Sequence, residues 1–408
     1  SQASPATVSR CGMIYFDQST LPWTAICDSW KDSHIQEIPN LTEKLRNLMD
    51  LYIPSMLQFV ECDGKPAIGS NPLFIVKNMM KLIDAFLDVM RKPVLKPASD
   101  GEDAKSVDPL NHSLYFSMFS NSSHRLHFGY FNENEDSCIS LFEKIFFFCL
   151  VWSFGAVLHD DSRQLFDDFI KDLFDKNDSK VDFPKEESVF DFFVDLSKND
   201  WCEWCDGITG VDLTSNKPIE QILIPTTESS SAIFLARLMI HHSQHFLLHG
   251  PESCKTLVVK TLMNSVLDKS FDCKNLPLAN CSVASNILKV LRSFMHKSHG
   301  VFGPLNNQQL VVFLDNIGSV KPEIYGAQPP LELIRQFFDY GGWYNTSNVE
   351  FQRIVGTTLI AGMGPEGAGL FSIPERLVRH FYYIHIPKYK SDSMSMIVGQ
   401  LFHLTFAK

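Results

Sequence analysis

Residues 310–315 read LVVFLD: five apolar side chains in a row, then an acid. A run this short, apolar on both faces and rich in β-branched and aromatic residues, belongs to a strand covered on both sides, as in a parallel sheet. The acid, Asp315, then falls at the strand's carboxyl end, where open α/β sheets hold ligands. The pattern recurs from Ile222 onward. Strand candidates at 222–224, 246–248, 276–280, 310–314, 352–361 and 381–386 alternate with helix candidates at 232–242, 255–267, 285–296 and 330–338. That alternation predicts an α/β domain with a mainly parallel sheet.

Upstream the periodicity changes. From about residue 35 to 173 the apolar spacing is mostly helical, clearest at 43–60, 71–90 and 137–158. A further helix at 161–174 has Asp161 as its expected N-cap. The densest apolar run, IFFFCLVWSFGAVL at 145–158, is too short to span a bilayer and reads as a buried core helix. Residues 92–112, rich in Pro, Asp, Ser and Lys, read as an exposed loop. Residues 175–187 are a charged connector, and the main boundary is placed there, with 201–213 opening the next domain.

Length and composition narrow the function classes. The 408 residues suit two or three domains, and 45% hydrophobic with 20% charged residues is ordinary for a globular chain. A net charge of −11 argues against broad nucleic-acid binding. No membrane association is expected. The ten cysteines show no regular framework and read as reduced thiols of a cytosolic protein. Cys202 and Cys205 form a CxxC with no second pair or matching His pair nearby, so no zinc site is expected. His241, His242 and His245 cluster at a helix end, where a surface or core role is the default. The chain opens on SQASPATVSR without an initiator Met and reads as a piece of something longer.

The chemistry lies after the 246–248 strand, in HGPESCKTL. A phosphate-binding loop needs GxxxxGK[ST]: glycines let backbone N–H groups wrap the phosphates, Lys reaches the β- and γ-phosphates, and Ser/Thr binds Mg²⁺. Lys255 and Thr256 are present and open a helix whose N-terminus favours an anion. The glycines are displaced. Cys254 stands at the last Gly and His249 at the first. Counted from Gly250 instead, the loop through Pro251, Glu252, Ser253 and Cys254 is one residue short. Two readings stay open: a loop that still binds nucleotide, and one that keeps the fold and has lost the ligand. Asp315 suits the acid that holds the Mg²⁺ water shell, making Thr256 and Asp315 the metal-side pair. The following position normally carries the acid that polarises the attacking water. Here it is Asn316, an amide that cannot take that proton, so hydrolysis is expected to be poor.

One internal echo suggests a modular array: Pro5-Ala6-Thr7-Val8-Ser9-Arg10 is matched by Pro374-Glu375-Arg376-Leu377-Val378-Arg379. Each precedes a strand-like run.

Several segments resemble one family. YGAQPPLELIRQFFDYGGWY (325–344) closely resembles the segment after the Walker B strand in the third AAA+ module of dynein heavy chains, especially axonemal ones. PATVSRCGMIY (5–15) is similar to the end of the second module's large subdomain. FEKIFFFCLVWSFGAVLHDDSRQLFDDF (142–169) resembles that module's helical small subdomain. From IEQILIPT to its last residue the chain resembles the third module's large subdomain. The resemblance runs through nearly all of the chain. It implies three parts: 1–16 as the end of one large subdomain, 17–185 as its helical lid, and 186–408 as the next P-loop large subdomain. It also implies roles. Ile224, Pro225 and Thr226 would line the adenine pocket. IAGMGPEGAG (360–369) resembles the segment after the sensor I strand and puts Gly364 at the polar sensor position. Arg10 and Arg379 would be arginine fingers for neighbouring modules, with Arg376 as a second choice to Arg379.

A member of this family would be part of an ATP-driven, minus-end-directed microtubule motor. This block would bind ATP or ADP with Mg²⁺ weakly, hydrolyse it poorly and relay conformational change. Its partners would be neighbouring AAA+ modules, with intermediate chains, light chains and microtubules reached through the whole motor. Its place would be the cytoplasm, the cytoskeleton and the ciliary axoneme. The alternatives are a nucleotide-free structural module of the ring, and another large AAA+ ring protein of the midasin type, which 325–344 and 5–15 argue against.

Overall fold

The computed structural model describes residues 4–12, 14, 21–34, 39–66, 71–91, 135–177, 187–196, 198–204, 218, 221–250, 254–267, 270–298, 300–305, 308–345, 349–365, 367 and 369–406. The expected loop at 92–112, most of the 13–16 run and Cys205 lie outside them.

The amino-terminal half is helical: α1 Pro5–Arg10, α2 Trp23–His34, α3 Pro39–Cys62, α4 Pro72–Arg91, α5 Glu135–Phe154 with a 3₁₀ turn at Gly155–Val157, and α6 Asp160–Lys176. From Ile145 to Phe154, α5 is almost wholly apolar and is buried all round. Its stretch Ile139–Val157 is long and apolar enough to cross a membrane, yet 78% of it is buried within the protein. Burial, rather than the shortness expected from 145–158, identifies it as a core helix. Aromatic rings hold the neighbours on it. Tyr52 of α3 meets Phe147 edge-on at 5.2 Å, Phe86 of α4 meets Phe148 at 5.5 Å, and Phe174 of α6 meets Phe147 at 4.4 Å.

A short antiparallel hairpin, β1 Phe192–Asp195 and β2 Asp200–Glu203, leads into the α/β half. There follow α7 Thr227–His241, β3 Phe246–His249, α8 Lys255–Thr261, β4 Phe271–Pro277, α9 Ala284–Ser293, β5 His296–Ser298, β6 Val301–Gly303 and β7 Gln309–Asp315. The chain continues through α10 Pro329–Tyr340, β8 Gly342–Tyr344, β9 Phe351–Ile354, β10 Thr357–Met363, α11 Glu375–Val378, β11 Tyr382–His385 and α12 Ser391–Phe406. Five strands form one sheet in the order β11-β3-β10-β7-β4, with every pairing parallel. The fold is therefore the expected one: a P-loop α/β domain with a parallel sheet, preceded by a helical lid. A second sheet, β5-β6-β9-β8, flanks it.

The two halves share one core. Phe234 of α7 meets Phe148 of α5 at 6.1 Å and Trp204 at 5.4 Å, and Trp204 stacks on Phe193 of β1 at 4.7 Å. Polar bonds cross the same seam. Tyr382 Oη donates to the Trp152 carbonyl at 3.3 Å, Lys81 Nζ to the His380 carbonyl at 3.1 Å, and His242 Nδ1 lies 2.5 Å from Asp88 Oδ2.

Several elements differ from the sequence reading. Residues 222–224 are not a strand; they run without a ladder into α7, whose N-cap is Thr226. The 276–280 strand begins earlier, at Phe271, and ends at Pro277. The 352–361 segment is two strands in two sheets, broken at Gly356, where φ is +62°. The 255–267 helix stops at Thr261 and widens into a π turn over Leu262–Val266. His159, not Asp161, caps α6. Helices α2 and α12 escape the sequence reading. The echo at Pro5–Arg10 and Pro374–Arg379 proves to be a short helical turn both times.

Candidate phosphate-binding site

The parallel register brings the carboxyl ends of β3, β10 and β7 level: Met363 lies opposite His249, and Ala361 opposite Leu314. Each strand therefore delivers its next residues to the same edge. β3 delivers Gly250, β10 delivers Gly364 and β7 ends on Asp315. Because β10 lies between β3 and β7, a residue opening α8 can reach across it to Asp315. Thr256 does so. Its hydroxyl lies 3.2 Å from Asp315 Oδ1 and 3.3 Å from Oδ2. Gly362 of β10 leaves the room. A Cβ there would stand 3.1 Å from the Phe313 ring and 3.6 Å from Asp315 Oδ1.

The two ends of the loop are described: Gly250 on one side, Cys254 and Lys255 on the other. Gly250 is irreplaceable, since a Cβ at this position would lie 2.3 Å from the Ile386 carbonyl oxygen. Cys254 occupies the last-glycine position at φ +91°, a conformation that suits glycine, so the thiol residue is strained there. Lys255 is buried, and its ammonium donates to the Gly250 carbonyl at 2.8 Å, closing the loop on itself. Pro251, Glu252 and Ser253 lie outside the described residues.

Asn316 follows Asp315 in the left-handed conformation, φ +63°, which Asn tolerates better than most residues, and it is exposed. Gly364 is buried, and a Cβ there would meet Leu370 Cδ1 at 2.9 Å. A leucine methyl thus fills the space into which a polar sensor would grow. Ile224, Pro225 and Thr226 are buried at the start of α7, where Thr226 and Ser229 form a reciprocal capping box.

Two residues that sequence reasoning missed join these parts. Glu228, buried in the first turn of α7, accepts from Lys390 N at 3.2 Å and from the Ser393 hydroxyl at 3.0 and 3.1 Å. Tyr389 is within hydrogen-bond reach of Cys254. Burial first, then that contact and the Glu228 charge, pushes its phenol well up, so it stays a neutral donor. The start of α7 is thereby tied to the loop. His249, which the sequence puts at the first-glycine position, has a partner the sequence did not show. It is buried against His385, and burial, then His385 and Lys255, pushes its imidazole down to about 3. A buried acid at a helix start and a Tyr far along the chain carry no local sequence signal.

Arg379 sits apart from this edge. Arg379 precedes β11, whose first residue Tyr382 lies opposite Phe246 at the amino end of β3. It is therefore at the other end of the sheet from Gly250. Its guanidinium binds Asp339 of α10 at 2.7 Å and is 43% exposed. Arg10 is exposed at the end of α1, and Arg376 is exposed on α11. Chemically, the described residues bring together an ammonium suited to phosphate, Lys255, and a hydroxyl–carboxylate pair suited to a divalent ion, Thr256 and Asp315. Position 316, where an acid would activate the attacking water, carries an amide.

Comparison with known families fits this geometry. Residues 211–389 match the P-loop containing dynein motor region, and residues 110–206 match the dynein heavy chain AAA lid domain. Dynein axonemal heavy chain 12 of Rattus norvegicus is 32% identical over 98% of this chain and 12% of its own length. Dynein axonemal heavy chain 3 of Homo sapiens is 27% identical over 100% of this chain and 10% of its own. The dynein-1-beta heavy chain of the flagellar inner arm I1 complex of Chlamydomonas reinhardtii is 25% identical, again over 100% of this chain and 9% of its own. The chain spans about a tenth of the length of these relatives.

Proposed function

Since the chain belongs to the axonemal dynein heavy chain family and forms part of its AAA motor region, we propose that its P-loop domain binds ATP or ADP with Mg²⁺ weakly, hydrolyses ATP poorly, and relays conformational change round a ring of AAA+ modules. The contact between Thr256 and Asp315 carries this reading. A hydroxyl and a carboxylate from separate elements converge beside a buried lysine, the pairing that Mg-nucleotide needs. Asn316 and Gly364 carry the second half: neither polarises water nor senses the γ-phosphate.

In the same reading the helical half is the lid of one module, bounded near residue 185, and the rest is the large subdomain of the next. Arg10 and Arg379 stabilise phosphate charge in pockets formed by other modules. The whole motor places the chain on microtubules of the ciliary axoneme with intermediate and light chains.

A second reading, a nucleotide-free structural module, is favoured by one observation. Lys255 already bonds the Gly250 carbonyl, and Thr256 already bonds Asp315, so the site is satisfied without a ligand. Calorimetric titration with Mg-ADP and Mg-ATP separates the two. The nucleotide reading expects saturable binding that Lys255→Ala weakens at least about tenfold, with phosphate release near background. Heat indistinguishable from dilution, for the chain and the variant alike, would establish the structural module instead.

A further inference from the structure

Three buried or half-buried groups run in line from the helical half to the first residue of the phosphate loop. Asp160, in the first turn of α6, holds His385 Nε2 at 2.7 Å through Oδ1. Its other oxygen accepts from Lys388 N at 3.2 Å. His385 Nδ1 lies 3.1 Å from His249 Nδ1, with the rings 5.3 Å apart and 27° from parallel. The two histidines are register partners at the ends of β11 and β3. His249 continues directly into Gly250, whose carbonyl receives the Lys255 ammonium.

Hydrogen-bond chemistry orders this line. With both rings neutral, one assignment makes both bonds: His385 donates from Nε2 to Asp160, its Nδ1 is bare and accepts, and His249 donates from Nδ1. Burial lowers both imidazoles, which keeps them neutral at pH 7. Burial would raise the carboxyl of Asp160, but the His385 hydrogen bond and charge, the Lys388 amide and Arg163 hold it down at about 2. Among the described residues, the other charged or titratable groups facing the line are His159 and Arg163 from the helical half and Lys255 from α8.

We propose that Asp160 is a positioning residue for the phosphate loop: it fixes the tautomer and plane of His385, His385 fixes His249, and His249 sets the loop's first peptide. The lid helix and the loop of the following domain are then mechanically linked, because a hydrogen bond of 2.7 Å does not survive a shift of an ångström. By reciprocity, whatever orders the loop also holds the lid helix in place. The link rests on the nucleotide reading only for its purpose and stands without a ligand.

The test is made on the full 408-residue chain without nucleotide. Imidazole ¹⁵N spectra report the tautomers, and hydrogen exchange reports the amides of Gly250, Lys255 and Thr256. Wild type is expected to show His385 protonated on Nε2 and His249 on Nδ1. Asp160→Ala is expected to give mixed tautomers and roughly tenfold faster exchange at the loop amides, with α10 amides unchanged. Asp160→Asn keeps an acceptor oxygen and restores most of the protection. If Asp160→Ala does not fold, His385→Phe, which keeps the ring and removes both bonds, must loosen the same amides. Mg-ADP affinity should fall about fivefold or more with the loosening. Altered tautomers with unchanged loop exchange would overturn the proposal, as would equal loosening of α10. Loop loosening in a chain that binds no nucleotide would uphold the link and remove the nucleotide reading alone.

Discussion

Thr256 and Asp315 are 59 residues apart in sequence and are joined by a hydroxyl–carboxylate bond of 3.2 Å across the end of β10. A Mg²⁺ ion would take up both groups, directly or through its water shell, in place of their bond to each other. Thr256→Val should therefore abolish the gain in ADP affinity that Mg²⁺ gives, while affinity in EDTA stays within about twofold of wild type. Titrations with and without the metal check this.

Cys254 adopts φ +91°, which a side chain opposes. Such strain costs about 1–3 kcal/mol. Cys254→Gly should raise stability by about 1 kcal/mol net of the extra freedom glycine brings to the unfolded chain. Cys254→Ala, which keeps a Cβ but loses the Tyr389 contact, should not. Urea midpoints of the three proteins measure the difference.

Asn316 is exposed beside Asp315, at the position where the proposed reading expects a water-activating acid. Asn316→Glu should raise phosphate release by about 10²-fold, the lower end of what a general base supplies, with little change in ATP affinity. The left-handed backbone at φ +63° will cost the variant about 1 kcal/mol of stability. A phosphate-release assay at saturating ATP gives the answer. No increase would place the defect at Gly364 and Leu370 instead.

His245 and His249 give the protein an acid limit. The His245 Nδ1 accepts the Leu359 amide at 3.0 Å, so it must be unprotonated there. Burial, then the charges of Lys81 and His380, pushes this imidazole from 6.5 to about 3, and His249 falls equally far. Between those values the unfolded chain binds more protons than the folded one, so stability falls as pH drops below 6.5. From about pH 6.5 to 5 the loss is about 1.6 kcal/mol per imidazole, because the slope reaches its full value of about 1.4 kcal/mol per pH unit only once the unfolded imidazole, half protonated at 6.5, is fully protonated. Chemical denaturation at the two pH values checks it. His245→Asn, whose amide oxygen can still accept from Leu359, should lose its share of the slope.

The architecture and the principal groups of the site are legible in the order of the amino acids alone. The run ending at Asp315 had to be a covered parallel strand, because apolar side chains on both faces need cover on both. Lys255 and Thr256 stand out as candidates in the sequence because the pattern of a phosphate loop is local: its groups lie within a few residues and open one helix. The helical half shows through its 3.6-residue apolar spacing, and the family through the segments at 5–15, 142–169 and 325–344. Packing settled what depends on residues far apart in the chain. Residues 222–224 look like a strand but have no neighbour to pair with among the described residues. Residues 352–361 look like one strand but are divided between two sheets at Gly356. Asp161 looks like the cap of α6, whereas His159 takes that place and Asp160 turns to His385. The bond between Asp160 and His385 spans 225 residues, and no spacing rule reaches that far. Sequence patterns record which faces of an element are buried; which buried polar groups meet there is fixed only when the elements pack and each must find a partner out of water.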